Sequence, residues 1–142
     1  MAEEYMLIAL ELSKKALPHC LPNPPVGCVL VKDGQVVGQG FTQVIGGNHA
    51  EVEALNSYTG DLAGVTAYVT LEPCSFVGRT PACAARLAHS GLKHLVLAML
   101  DPDSRNNGKG LAMLQHAGIN VELGICEAQA SAFLSPYLLK PE

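Results

Sequence analysis

The stretch 65-VTAYVTLEPCSFVGRTPACAARLAHSGLKHLVLAML-100 decides the architecture. Residues 65–71 are apolar and rich in β-branched side chains, the pattern of a strand buried on both faces. Residues 82–90 carry alanine and leucine at helical spacing and stop at Gly91, a good C-terminal cap. Residues 93–100 are apolar again and read as a second buried strand. A strand, a helix and a strand in that order fit a parallel pair joined by a crossover.

The same rhythm continues on the C-terminal side. Residues 111–117 read as a helix capped by Gly118, 119–124 as a strand and 125–139 as a last helix. Upstream, 3–17 has helical periodicity and stops before Pro18. The segment 18-PHCLPNPP-25 holds four prolines and reads as a rigid loop. VGCVLVK, Asp33-Gly34 and QVVGQGF then form a hairpin, and Gly46-Gly47-Asn48 leads into a helix over 49–58. The expectation is one α/β domain over 1–142, a three-layer α/β/α sandwich with a mixed five-stranded sheet. No internal repeat, low-complexity segment or linker interrupts it. Ligand sites in such sheets gather beyond the carboxyl ends of the strands, where Glu72 to Cys74 and Asp101 to Asp103 fall.

Composition narrows the function. Of 142 residues, 49% are hydrophobic and 15% charged, which is globular and not disordered. Nine Lys+Arg are scattered among thirteen acids, for a net charge of −4, so no basic face for nucleic acid is expected. No apolar run approaches the roughly 18 residues of a membrane span, and the start lacks the basic region of a signal peptide. A cytoplasmic location follows, where thiols stay reduced. Five cysteines, an odd number, fit free thiols or metal ligation better than a disulfide framework.

Two of those cysteines carry chemistry. Cys74 leaves a strand end, and Cys83, nine residues on, begins a helix, so the two can converge. A helix N-terminus favours thiolate. Two thiolates need a third ligand to hold zinc. Of the five histidines, His49 alone sits where a glycine-rich loop turns into a helix, and it alone has a carboxylate two residues on, in His49-Ala50-Glu51. One imidazole and two thiolates leave a fourth zinc position open for water, the layout of a catalytic centre. Zinc lowers the pKa of such a water to roughly 7, and Glu51, not a ligand, can carry its proton to a leaving group. This is the H-x-E…P-C arrangement of zinc-dependent nucleobase deaminases.

The cysteine spacing departs from the usual Pro-Cys-x-x-Cys of those enzymes. LEPCSFVGRTPAC is instead similar to LEPCSHxGRTPPC of the deaminase domain of the bacterial bifunctional riboflavin-biosynthesis deaminase/reductase, a cytidine deaminase-like protein. Pro22-Asn23-Pro24, Val26-Gly27-Cys28, the HAE at 49–51, YVTLEPC at 68–74, Gly78-Arg79-Thr80-Pro81, Asp101-Pro102, Gly108-Lys109-Gly110 and Ala117-Gly118-Ile119 keep the family's order and spacing. The resemblance implies hydrolytic deamination of 2,5-diamino-6-ribosylamino-4(3H)-pyrimidinone 5′-phosphate. It implies zinc on His49, Cys74 and Cys83, Glu51 as the catalytic acid–base, and a homodimer or larger homo-oligomer. It further implies substrate contacts from Asn23, Ala50, Ser75, Arg79, Asp101 and Asp103, with Arg79 as the cation for the phosphate. The family's reductase domain is expected to be absent, so the chain reads as a stand-alone deaminase or an excised domain.

Three positions depart from the family pattern. Thr42 stands for the histidine of GFH, Phe76 for the histidine of CSH, and Asp103 for the asparagine of DPN. All three belong to the substrate surroundings. Two donors are lost and a carboxylate is gained, which makes phosphate less welcome. Two further readings therefore stand beside the first: a deaminase of a related base, nucleoside or secondary-metabolite precursor, and an inactive zinc-binding relative with a structural or partner-binding role.

The remaining candidates read as structure. Cys28 belongs in the core, Cys20 and Cys126 read as inert or half-exposed thiols, and His19, His89, His94 and His116 as surface or satisfied histidines. Glu72 is either support for the ligand loop or an exposed acid. Gly108-Lys109-Gly110 lacks the flanking residues of a P-loop and reads as a helix-entry turn.

Overall fold

The computed structural model describes residues 2–75 and 82–138. The elements run α1 (Ala2–Lys14), β1 (Gly27–Lys32), β2 (Gln35–Phe41), α2 (Ala50–Asn56), β3 (Thr66–Val69), α3 (Cys83–Ala88), β4 (His94–Leu97), α4 (Lys109–His116), β5 (Asn120–Leu123) and α5 (Glu127–Leu134), closed by a 3-10 turn at Ser135–Tyr137. The strands form one sheet in the order β2-β1-β3-β4-β5. β1 pairs antiparallel with β2 (Cys28 opposite Gly40) and with β3 (Cys28 opposite Val69). β3, β4 and β5 are parallel, with Thr66 opposite His94 and His94 opposite Asn120. The mixed five-stranded sheet is as the sequence pattern requires.

Three layers follow from the period-two alternation of the central strands. Cys28, Leu30, Ala67, Val69, Leu95 and Leu97 face one core, where α2, α3 and α4 contribute Ala54, Leu87 and Leu114. Val29, Val31, Tyr68 and Val96 face the other, against Met6, Ala9 and Leu10 of α1 and Ala130 and Leu134 of α5. Each fully buried aliphatic side chain contributes about 1.5–3 kcal/mol, so both faces anchor the sheet. No described helix is long and apolar enough to cross a membrane.

The differences from the sequence reading have local causes. β3 leaves the ladder two residues early, yet stays fastened: Thr70 N–H donates to Gly27 O at 3.1 Å, and Glu72 N–H to Met99 O at 3.0 Å. β5 is short and largely exposed because it is a sheet edge. The last helix stops at Leu134, since Pro136 has no N–H to continue it. Cys20, read as inert or half-exposed, is fully buried, as is Cys28. The other four histidines besides His49 are exposed.

One close approach positions the site. A Cβ at Gly40 would lie 2.6 Å from Ala50 O, Ala54 N and Glu53 Cβ. Glycine there lets α2 lie directly on β2 and brings the start of α2 up to the sheet.

Candidate active site

His49 is the N-cap of α2, in extended conformation (φ −75°, ψ 167°), and its side chain makes no capping bond. Asn48 does local work instead, donating from Nδ2 to Glu53 Oε2 at 2.8 Å. The imidazole is thereby left to turn towards the end of β3. Its Nδ1 lies 3.1 Å from Cys83 Sγ and 3.9 Å from Cys74 Sγ. Cys83 is the first residue of α3, and its N–H donates to Cys74 Sγ at 3.3 Å, while Ala84 N–H donates to Cys74 O at 3.0 Å. The helix start thus clamps Cys74 through both its sulfur and its carbonyl.

The ligand atoms of His49, Cys74 and Cys83 all lie within 4.8 Å of one another. Zinc–nitrogen and zinc–sulfur bonds of about 2.0 and 2.3 Å place neighbouring tetrahedral donors roughly 3.5 Å apart, so the cluster fits one ion. Its electrostatics fit as well. The thiol of Cys83, together with the His49 ring and the Cys83 N–H, stabilises a thiolate at Cys74 and takes its pKa down to about 4. Cys83 moves upward because it keeps the proton the pair shares. The Cys74 sulfur also raises His49, against the opposing effect of burial.

Glu51, in the first turn of α2, is only 4% exposed. Burial pushes its carboxyl up to about 7, while its own backbone N–H and the nearby His49 pull it back. A carboxyl poised near neutrality can both take and give a proton there.

These groups open into a cavity of about 360 Å³ at the carboxyl ends of β3 and β4. Its wall includes His49, Glu51, Cys74, Asn23, Asp101 and Asp103, so the structure brings six of the ten predicted site residues to one space. Cys83, the third member of the cluster, is not on the wall. Ala50 is wholly buried at the start of α2, and Ser75 is half-buried next to Cys74; neither side chain is on the cavity wall. Arg79 and Phe76 lie outside the described residues.

The departures take on new roles. Thr42 is 4% exposed and is a brace: Val26 N–H donates to its Oγ1 at 3.0 Å, and that hydroxyl donates to Pro24 O at 3.1 Å. It ties the proline loop that carries Asn23 to the end of β2. Asp103 is not an isolated negative charge. Arg105 donates from Nε to both its carboxylate oxygens at 3.1 Å and from Nη2 to Oδ2 at 2.6 Å. That cation holds the Asp103 carboxyl below the usual range. Asp101 is pushed the other way by burial.

Several contributing residues escape a linear reading. Glu72 is buried, and its carboxylate accepts from Asp101 N–H and Gly108 N–H at 3.0 Å and from Leu111 N–H at 2.9 Å. Asn106 donates to Pro73 O at 3.1 Å and accepts from Gly110 N–H at 3.2 Å. Arg105, Tyr137 and Leu138 also line the cavity. Pro136 was the available signal that the last helix breaks and turns Tyr137 aside; nothing local marks Arg105. Gly108-Lys109-Gly110 is the helix entry it was read to be, with Gly108 as a left-handed N-cap (φ 93°).

A histidine and two cysteines gathered at a strand end, with a buried acid two residues beyond the histidine, are the group that zinc-dependent nucleobase deaminases use to hold their metal. Residues 1–99 match the family model described as the cytidine and deoxycytidylate deaminase zinc-binding region. The chain belongs to that family, and within it to the diaminohydroxyphosphoribosylaminopyrimidine deaminases. The diaminohydroxyphosphoribosylamino-pyrimidine deaminase of Buchnera aphidicola is 40% identical over 129 residues, which is 91% of this chain and 88% of that protein. The riboflavin biosynthesis protein RibD of Escherichia coli is 46% identical over 136 residues, 96% of this chain and 37% of the relative. The solved structure of Acinetobacter baumannii RibD superposes with a TM-score of 0.92 at 47% identity, over 96% of this chain and 39% of that one. The chain therefore spans little more than a third of the RibD relatives it matches.

Proposed function

We propose that this chain hydrolyses the ring amine of an aminopyrimidine, with 2,5-diamino-6-ribosylamino-4(3H)-pyrimidinone 5′-phosphate as its substrate in riboflavin biosynthesis. The observation that carries the reading is Glu51, a buried carboxyl on the cavity that His49 and Cys74 also line, with Cys83 completing their cluster. The names of the Buchnera and Escherichia coli relatives support the substrate and the pathway.

His49, Cys74 and Cys83 would hold zinc. When bound, zinc supplies a water acidic enough to react near neutral pH. The Glu51 carboxyl lies on the cavity wall, where it would take up the proton released when water adds to the amine-bearing ring carbon. The same carboxyl then donates to the departing nitrogen, the carbon–nitrogen bond breaks, and ammonia leaves. Water and amine are consumed, and a ring carbonyl and ammonia are formed. Asn23 and Asp101 line the cavity from two different loops and would orient the ring by hydrogen bonds. At 4% exposure, the carboxyl that shuttles the proton is itself kept from bulk water.

The test is ammonia release from a panel of aminopyrimidines, nucleosides and free bases, with and without 5′-phosphate. Turnover of the ribosylaminopyrimidine phosphate above all others is expected. Preference for another base overturns the substrate, and no turnover of any compound by zinc-loaded protein overturns the enzymatic reading.

A further inference from the structure

We propose that Arg105, oriented by Asp103, recognises the 5′-phosphate of the substrate; the inference rests on the deaminase reading above. The cavity wall carries the carboxylates of Glu51, Glu72, Asp101 and Asp103. A phosphate dianion entering it meets like charge unless a cation is built in. Among the described residues of that wall, Arg105 is the one arginine or lysine.

The guanidinium is held in a fixed place. Asp103 grips it through Nε and Nη2 and also accepts from Arg105 N–H at 3.0 Å. Asp103 is itself located from below, since its own N–H donates to Asp101 Oδ1 at 3.0 Å. The Arg105 side chain is 60% exposed and that of Asp103 11%. The fork therefore sits on the rim, anchored at its inner edge. Exposed ion pairs contribute little to stability, so fold stability does not account for the arrangement. A planar guanidinium gripped on one edge and set at a cavity mouth suits a phosphate. The loss of asparagine at 103 is on this view a gain: the carboxylate does not repel the phosphate but positions the arginine that takes it.

The experiment separates this inference from the reaction itself. Ribose 5-phosphate is titrated by NMR into zinc-loaded wild type, Arg105→Ala, Arg105→Lys and Asp103→Asn, each first checked for an unchanged melting temperature. Arg105→Ala should weaken binding about tenfold, a loss discounted for solvent screening. Arg105→Lys should recover part of it, keeping charge without the fork, and Asp103→Asn should fall between wild type and Arg105→Ala. In turnover, the preference for phosphorylated over dephosphorylated substrate should fall by the same factor in KM, with kcat far less affected. Equal binding by wild type and Arg105→Ala, or no saturable binding by wild type, overturns the assignment. A wild type that binds ribose 5-phosphate through Arg105 yet deaminates no ribosylaminopyrimidine overturns the parent reading alone.

Discussion

Glu51 occupies a place that is costly for a carboxylate. It is 4% exposed, and burial is the largest influence on its titration. The fold tolerates it because an acid near neutrality can be neutral when nothing demands charge. Replacement by glutamine keeps the shape and removes only the transferable proton. Glu51→Gln should therefore retain metal, by elemental analysis, and lose turnover by at least about 10²-fold. A variant with near-normal ammonia release would take the proton transfer away from Glu51. His49 and Glu51 could be picked out together in the sequence because a histidine and a carboxylate sit two residues apart at a recognisable helix start, and the structure places both on one cavity. Arg105 was not legible. Its relevance depends on which way a loop turns, and the carboxylate that fixes it was read as a departure that opposes phosphate.

At the scale of elements, the site is assembled by one strand end holding a distant loop. Glu72 follows β3, and its carboxylate satisfies three backbone amides between residues 101 and 111. Gly110 permits this, since a Cβ there would collide with Pro73 O and crowd the Glu72 side chain. The loop that carries Asp101, Asp103 and Arg105 is thus fastened to the segment that carries Cys74. A hydrogen bond to a charged group contributes about 1.5–3 kcal/mol. Glu72→Ala, with partial replacement by water, should cost at least about 3 kcal/mol in urea unfolding. Glu72→Gln keeps one carbonyl oxygen but turns a donor towards a donor, and should lose roughly half as much. An alanine variant within about 0.5 kcal/mol of wild type would mean that water holds the loop as well as the carboxylate does. The sequence left Glu72 undecided because its partners are amides 29 to 39 residues away. The strands and helices themselves were legible, since two-sided burial and helical spacing are local patterns. Their ends were less so: β3 and β4 stop short where side-chain and loop hydrogen bonds take over from the ladder.

At the scale of the whole molecule, the three residues of the cluster come from three places: the cap of α2, the segment after β3 and the first residue of α3. α2 and α3 both pack on the same face of the sheet, in the core that includes Ala54, Leu87 and Val69. The unfolded chain cannot hold His49, Cys74 and Cys83 within 4.8 Å of one another without paying for closure of the intervening loops. An ion bound by the cluster therefore stabilises the folded state by its full binding free energy. With free zinc at about a thousand times Kd this amounts to roughly 4 kcal/mol, which in a domain of this size raises Tm by about 10–15 °C. Calorimetry of zinc-loaded and chelator-stripped protein should show that difference. Cys83→Ser should lose most of its zinc and with it most of the response, so that its Tm barely changes on chelation. If instead stripped and loaded wild type melt together, the cluster does not hold zinc tightly, and the acid at Glu51 would have no activated water to serve.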